Sequence, residues 1–223
     1  MSRTTTATKS KMHRNGGIPT WEIAQLFPPQ GTWSEEEYLN LENLCGSHIR
    51  VELFQGRLEV LPVPTTTHQL IILFLLKALQ TFAAVYAPGL VLFSGIRVKV
   101  PKKKKDDPEF REPDIVYMRE ENQARCLQEY WIGADLVMEV VSGDLKDRER
   151  DLVIKPRQYA AARIPEYWII EPDAKFIRVL TLRGKTYRVH GNFCPGTTAT
   201  SVLLPGISVA VDAVLAAGKA KTN

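Results

Sequence analysis

LVMEVVS, residues 136–142, is the stretch on which the fold turns. Five of its seven residues are apolar, and three of those are valine. A run this short and this β-branched reads as a strand covered on both faces. Yet Glu139 stands at its centre. An unpaired carboxylate in that setting costs several kcal/mol, so the strand predicts a cation or a hydrogen-bonding partner for it.

Reading outward, EPDIVYM (112–118) is a second apolar run, with Asp114 after Pro113, and LVLFSGIRVKV (90–100) is an earlier one. After LVMEVVS comes KDRERDLVIKPRQYAAA (146–162), helical in composition, then PEYWIIEP (165–172), another strand. LIILFLLKALQTFAAVYA (70–87) precedes all of these. Lys77 near its centre would cost roughly 2.5–3.5 kcal/mol in a bilayer. It therefore reads as a soluble helix buried on most of its surface, capped from Thr65–Thr67, and no membrane partner is expected. From His68 the order is helix, three strands, helix, strand, which is an α/β arrangement.

Further β material flanks this core. IRVELFQGRLEVLPV (49–63) reads as a hairpin turning at Gln55-Gly56. FIRVLTL and KTYRV read as a second, turning at Arg183-Gly184, and LLPGISVAVDAVLA (203–216) as a strand and a short helix. WSEEEYLNLENL (33–44) fits a helix with Ser34 as its N-cap. Residues 1–20, polar and free of acids, read as a disordered tail, and residues 21–223 as one domain.

Composition bounds the chemistry. The chain has 223 residues, 44% hydrophobic and 24% charged, with a net charge of +4. That excess permits a polyanionic partner without demanding one. Cys45, Cys126 and Cys194 are too scattered for a zinc ribbon or a disulfide framework, and a reducing, cytoplasmic compartment is the expectation. The run Lys102–Lys105 suits phosphates or simply solvent.

Two acids inside apolar strands, Asp114 and Glu139, are followed by Asp151, Lys155 and Tyr159 at four-residue intervals, one face of a continuous helix. Carboxylates and an ammonium converging at a sheet edge can hold magnesium and activate water against a phosphodiester. Pro156 complicates the helix: either it kinks there, or it restarts with Pro156 at its first position and Lys155 on the junction. The aromatics Tyr159, Tyr167 and Trp168 read as core.

In this order, EPDIVYM, LVMEVVS and RERDLVIKPRQYAAARIPEYWIIEP resemble the Uma-type restriction-endonuclease-like family, of the PD-(D/E)XK nuclease superfamily. VELFQGRLEV, the histidine opening the next helix and LPGISVAVDAVL fit the same resemblance, which spans about residues 30–215. It implies a restriction-endonuclease-like α/β core with β-hairpins added on its N- and C-terminal sides. It implies Asp114 and Glu139 as ligands of magnesium, with manganese as the alternative ion and the Val140 carbonyl as a third ligand. The superfamily lysine stands two residues after the glutamate, where this chain has Val141; the Uma-type lysine comes from the following helix, which matches Lys155. Glu52 and His68 fall where this family places further polar residues of the site.

The expected function is therefore metal-dependent hydrolysis of DNA by an endonuclease, and cutting two strands suggests a homodimer. The alternative is a nucleic-acid-binding or regulatory module without turnover, motivated by the missing strand lysine and by Pro156. A purely structural role would need Glu139 paired to a buried Arg or Lys far from Asp114.

Overall fold

A computed structural model describes residues 28–41, 50–101, 109–141 and 148–219. The expected tail at residues 1–20 and the Lys102–Lys105 run lie outside the described residues. Helix α1 (Glu35–Leu39) starts with a capping box, in which Ser34 Oγ accepts the Glu37 N–H and Glu37 Oε2 accepts the Ser34 N–H. Residues 42–44 of the expected helix lie outside the described residues. Asn40 turns both its backbone and its side-chain N–H back onto Glu36 O and closes the helix.

Strands β1 (Val51–Phe54) and β2 (Arg57–Val60) form the first hairpin, and Gln55 and Gly56 both take positive φ, 51° and 68°, as a tight two-residue turn requires. Thr65 Oγ1 accepts the His68 N–H and caps α2 (Thr66–Tyr86). By length and composition α2 could cross a membrane. Here it buries a single stripe, Ile71, Ile72, Leu75, Leu76, Leu79 and Ala83, while Leu73, Val85 and Tyr86 are exposed. It is thus less enclosed than the sequence predicts.

LVLFSGIRVKV, expected as one strand, is two. β3 (Gly89–Phe93) and β4 (Val98–Lys99) belong to different sheets, because Ser94 and Gly95, at φ 30° and 84°, turn the chain between them. β5 (Phe110–Arg111), β6 (Ile115–Arg119), a 3-10 turn (Glu120–Arg125), β7 (Trp131–Ile132) and β8 (Leu136–Val140) follow. A π-helical turn (Arg150–Ile154) leads into α3 (Lys155–Ala161), then β9 (Glu166–Glu171), β10 (Phe176–Arg183) and β11 (Thr186–Phe193). β12 (Thr198–Thr200), β13 (Ser208–Ala210) and α4 (Val211–Ala217) end the described chain.

The main sheet has the order β11-β10-β9-β8-β6-β3, with β8 parallel to β9 and its other neighbours antiparallel. A second sheet has the order β2-β1-β5-β4-β7, so the first hairpin is one side of a five-stranded layer. Period-two alternation splits β8 between two cores. Leu136, Met138 and Val140 face the core built on α2, whereas Val137 and Val141 share the other with Val98, Trp131, Tyr159 and Tyr167. By the same alternation Glu139 falls on the second face, toward α3 and the five-stranded sheet. Both faces of residues 136–141 are covered, and the carboxylate points to the side where the next helix lies.

A second buried carboxylate ties the C-terminal elements down. Glu166, fully buried, accepts from Trp168 Nε1, Ser201 Oγ and the N–H groups of Val202 and Leu203, at 2.6–2.9 Å.

Candidate active site

The partner that Glu139 requires is Lys155. Its Nζ lies 2.7 Å from Glu139 Oε1, 3.1 Å from Asp151 Oδ1 and 3.5 Å from Glu52 Oε1, with the lysine side chain 2% exposed. Tyr159, one turn further along α3, donates its hydroxyl to the same Glu139 oxygen at 2.7 Å. The four-residue spacing of Asp151, Lys155 and Tyr159 thus does set one working face. It does so across a helical register shift: the Lys155 N–H reaches back five residues to Arg150 O, and Pro156 opens the regular helix.

Asp114, at the entrance to β6, accepts the Val140 N–H on Oδ2 at 2.8 Å, and His68 Nε2 lies 3.1 Å from the same oxygen. The capped start of α2 brings His68 there. Asp114, Glu139, Val140, His68, Asp151 and Lys155 line one pocket of about 450 Å³, together with Arg50, Glu112 and Arg150. Glu52 sits behind it on β1, fully buried, taking the Glu112 N–H on Oε1 and Arg111 on Oε2.

Charge is crowded in this space. Burial pushes Glu139 upward, Lys155 opposes that, and Asp151, Asp114 and Glu52 add to it, leaving the carboxyl at about 8. Burial would also raise Glu52, but Lys155, Arg111 and Arg150, with the Glu112 N–H, hold it down at about 2. Lys155 is kept firmly charged: burial disfavours its ammonium, and Asp151, Glu139 and Glu52 outweigh that. For His68 burial is the largest effect and lowers the imidazole, but the hydrogen bond to Asp114 and the charges of Asp114 and Glu139 prevail and raise it. Burial raises the neighbouring Glu112 as well.

Residues 35–212 match the Uma2 family, whose description is "putative restriction endonuclease". The chain belongs to the Uma2 family. Among solved structures, the crystal structure of a "putative nuclease" from Anabaena variabilis ATCC 29413 is 13% identical, with a TM-score of 0.64, over 83% of this chain and 99% of that one. At that identity the likeness is one of fold. No match is found among curated proteins. Uma2 membership supports nuclease-like function and a nucleic-acid substrate, and nucleases of the restriction-endonuclease-like type generally use divalent metals.

All the residues singled out in the sequence as the Uma2 site, Glu52, His68, Asp114, Glu139, Val140 and Lys155, gather at this pocket or directly behind it. Val140 enters through its N–H. Sequence reading left out Glu112, and it placed Tyr159 in the core, where it lies, without foreseeing that its hydroxyl also bonds Glu139. The four-residue spacing from Lys155 was the signal for Tyr159. Tyr167, also buried, donates to Asp151 O at 2.9 Å and steadies the turn before the lysine.

Proposed function

We propose that this Uma2 protein is a divalent-metal-dependent endonuclease that hydrolyses DNA phosphodiesters on a restriction-endonuclease-like core. One observation carries the reading: two acids from neighbouring strands, Asp114 and Glu139, line one pocket beside a buried lysine. Their hydrogen bonds fall on Asp114 Oδ2 and Glu139 Oε1, so one oxygen of each carboxylate takes no hydrogen bond among the described residues.

That donor set fits a hard cation, which favours oxygen ligands and commonly uses one or two carboxylates plus phosphate oxygens. Magnesium, or manganese in its place, would be held by Asp114 and Glu139. The trans peptide that sends the Val141 N–H to Ile170 O turns the Val140 carbonyl the opposite way, toward the side where the Val140 N–H meets Asp114, and this supports it as a third ligand. When bound, the ion would polarise the phosphodiester and make its water more acidic. The chain's own groups do the rest. Lys155 offers a fixed charge to the phosphoryl group as negative charge develops, Tyr159 and Asp151 hold the lysine–glutamate pair, and His68 steadies Asp114. Arg50 and Arg150 line the walls where flanking phosphates would pass.

The rival is a binding or regulatory module. Its supporting observation is that, among the described residues, no group of three or more His, Cys, Asp or Glu is arranged to hold a metal. Supercoiled DNA incubated with the protein and magnesium or manganese separates the two. The expected result is nicking that chelation abolishes and that Asp114→Asn or Glu139→Gln lowers about 10²–10³-fold, the usual loss for one electrostatic group. Equal nicking by parent and variants would sink the assignment, while tight binding without nicking would favour the module. We further propose a homodimer cutting the two strands, which sedimentation of the protein on a duplex would test.

A further inference from the structure

The guanidinium of Arg111 is fully buried, an unusual place for a charge unless something binds it closely. Three groups do. Nη1 donates to Glu52 Oε2 at 2.7 Å and to Glu59 Oε2 at 2.6 Å, and Nε donates to Gln158 Oε1 at 2.9 Å. The Arg111 Cζ lies 4.7 Å from the centre of the Phe54 ring. Gln158 in turn donates to Glu109 Oε2 at 2.9 Å. Arg111 therefore joins β5 to both strands of the first hairpin and to α3, the helix that carries Lys155.

Glu52 has two oxygens with separate duties. Oε2 is taken by Arg111, while Oε1 accepts the Glu112 N–H at 2.9 Å and stands 3.5 Å from Lys155 Nζ. Glu139 Oε1 holds the same ammonium more closely, at 2.7 Å. Lys155 is thus shared unequally among three buried carboxylates, with Asp151 Oδ1 between the other two at 3.1 Å, and the share left to Glu52 depends on how much of its charge Arg111 already matches. Gln158 lies three residues beyond Lys155, so the Nε bond also fixes the turn from which the lysine projects.

We propose that Arg111 is a positioning residue for the active-site lysine: by occupying one oxygen of Glu52 and anchoring Gln158, it keeps Lys155 on Glu139. This rests on the reading of Lys155 given above. Without Arg111, Glu52 holds an unmatched buried charge and draws Lys155 away from Glu139. Neutralising Glu52 at the same time removes that draw.

The test uses Arg111→Met, Arg111→Lys and the double variant Arg111→Met with Glu52→Gln in the full chain. Two readouts are the kcat against KM split on DNA with magnesium, and the 15Nζ resonance of Lys155 in the metal-free protein, assigned by its loss in Lys155→Arg. Arg111→Met is expected to lower kcat about tenfold or more with KM within about twofold, and to shift the lysine resonance. The double variant returns the lysine resonance toward the parent. Arg111→Lys keeps a charge but loses the Gln158 bond, and it shifts the resonance the same way by less. A merely structural arginine would leave the lysine resonance of the double variant where Arg111→Met puts it, and that result overturns the proposal; so does an unmoved resonance in Arg111→Lys, the variant that decides if Arg111→Met does not fold. Should the parent fail to cut DNA, the resonance still tests positioning while the nuclease reading falls.

Discussion

At the scale of single residues, the site is a contest between burial and pairing, and pH exposes it. The Glu139 carboxyl is raised from its ordinary value near 4.5 to about 8, chiefly by burial. The folded state therefore prefers its neutral form, and this group's contribution to stability falls as pH rises from about 4.5 through about 8. Glu139→Gln lacks that titration. In chelator it is expected to melt above the parent near pH 8 and level with it near pH 4, as calorimetry would show; a constant gap across the range would contradict this. Glu52 has the opposite sign. Held at about 2, its charged form is favoured on folding, so its contribution is present above about pH 4.5 and is lost as pH falls through about 2. Acid unfolding of Glu52→Gln should be flatter in that window, by an amount on the order of 3 kcal/mol. Asp114 and Glu139 were legible in the sequence because acids are conspicuous in apolar runs. Arg111 was not, since a charged residue in PEFREPD looks solvated until β1 and α3 close over it.

At the scale of elements, local chemistry announced itself where a side chain serves its own backbone. The Ser34 capping box, the Gln55-Gly56 turn and the Thr65 cap could all be read directly. Elements formed by distant pairing could not: β4, β5 and β7 are two residues each, too short for any period to show, and they are three of the five strands of the second sheet. The register shift before α3 has a readable cause in Pro156, which lacks the N–H that would bond Leu152 O. Pro156→Ala restores that donor and lets a regular helix run through. The expected outcome is a melting temperature equal to or above the parent's with nicking reduced about tenfold or more, because Lys155 rotates off Glu139. Unchanged nicking would show that the lysine does not depend on the shifted turn.

At the scale of the molecule, two buried carboxylates do opposite jobs. Glu139 meets a cation inside a pocket; Glu166 meets only neutral donors among the described residues and joins β9 to the segment leading to β13 and α4. Glu166→Ala strands several buried donors at once and is expected to cost about 3 kcal/mol or more, read by urea denaturation, while the pocket keeps its geometry. Its role was invisible in PEYWIIEP, because Ser201 and Leu203 are more than thirty residues away. The lysine, too, belongs to this scale, since it arrives from a helix rather than from the strand of its glutamate, and Val141 is buried where a strand lysine would stand. The spacing between cation and acid is consequently a matter of how one layer seats on another, not of a fixed pleat. Changes at buried Ile164 or at half-buried Tyr187, packed against that seat and outside the cleft, should act as a fine adjustment of the proposed chemistry, so revertants of a weakened variant would be sought in and around the hydrophobic interior.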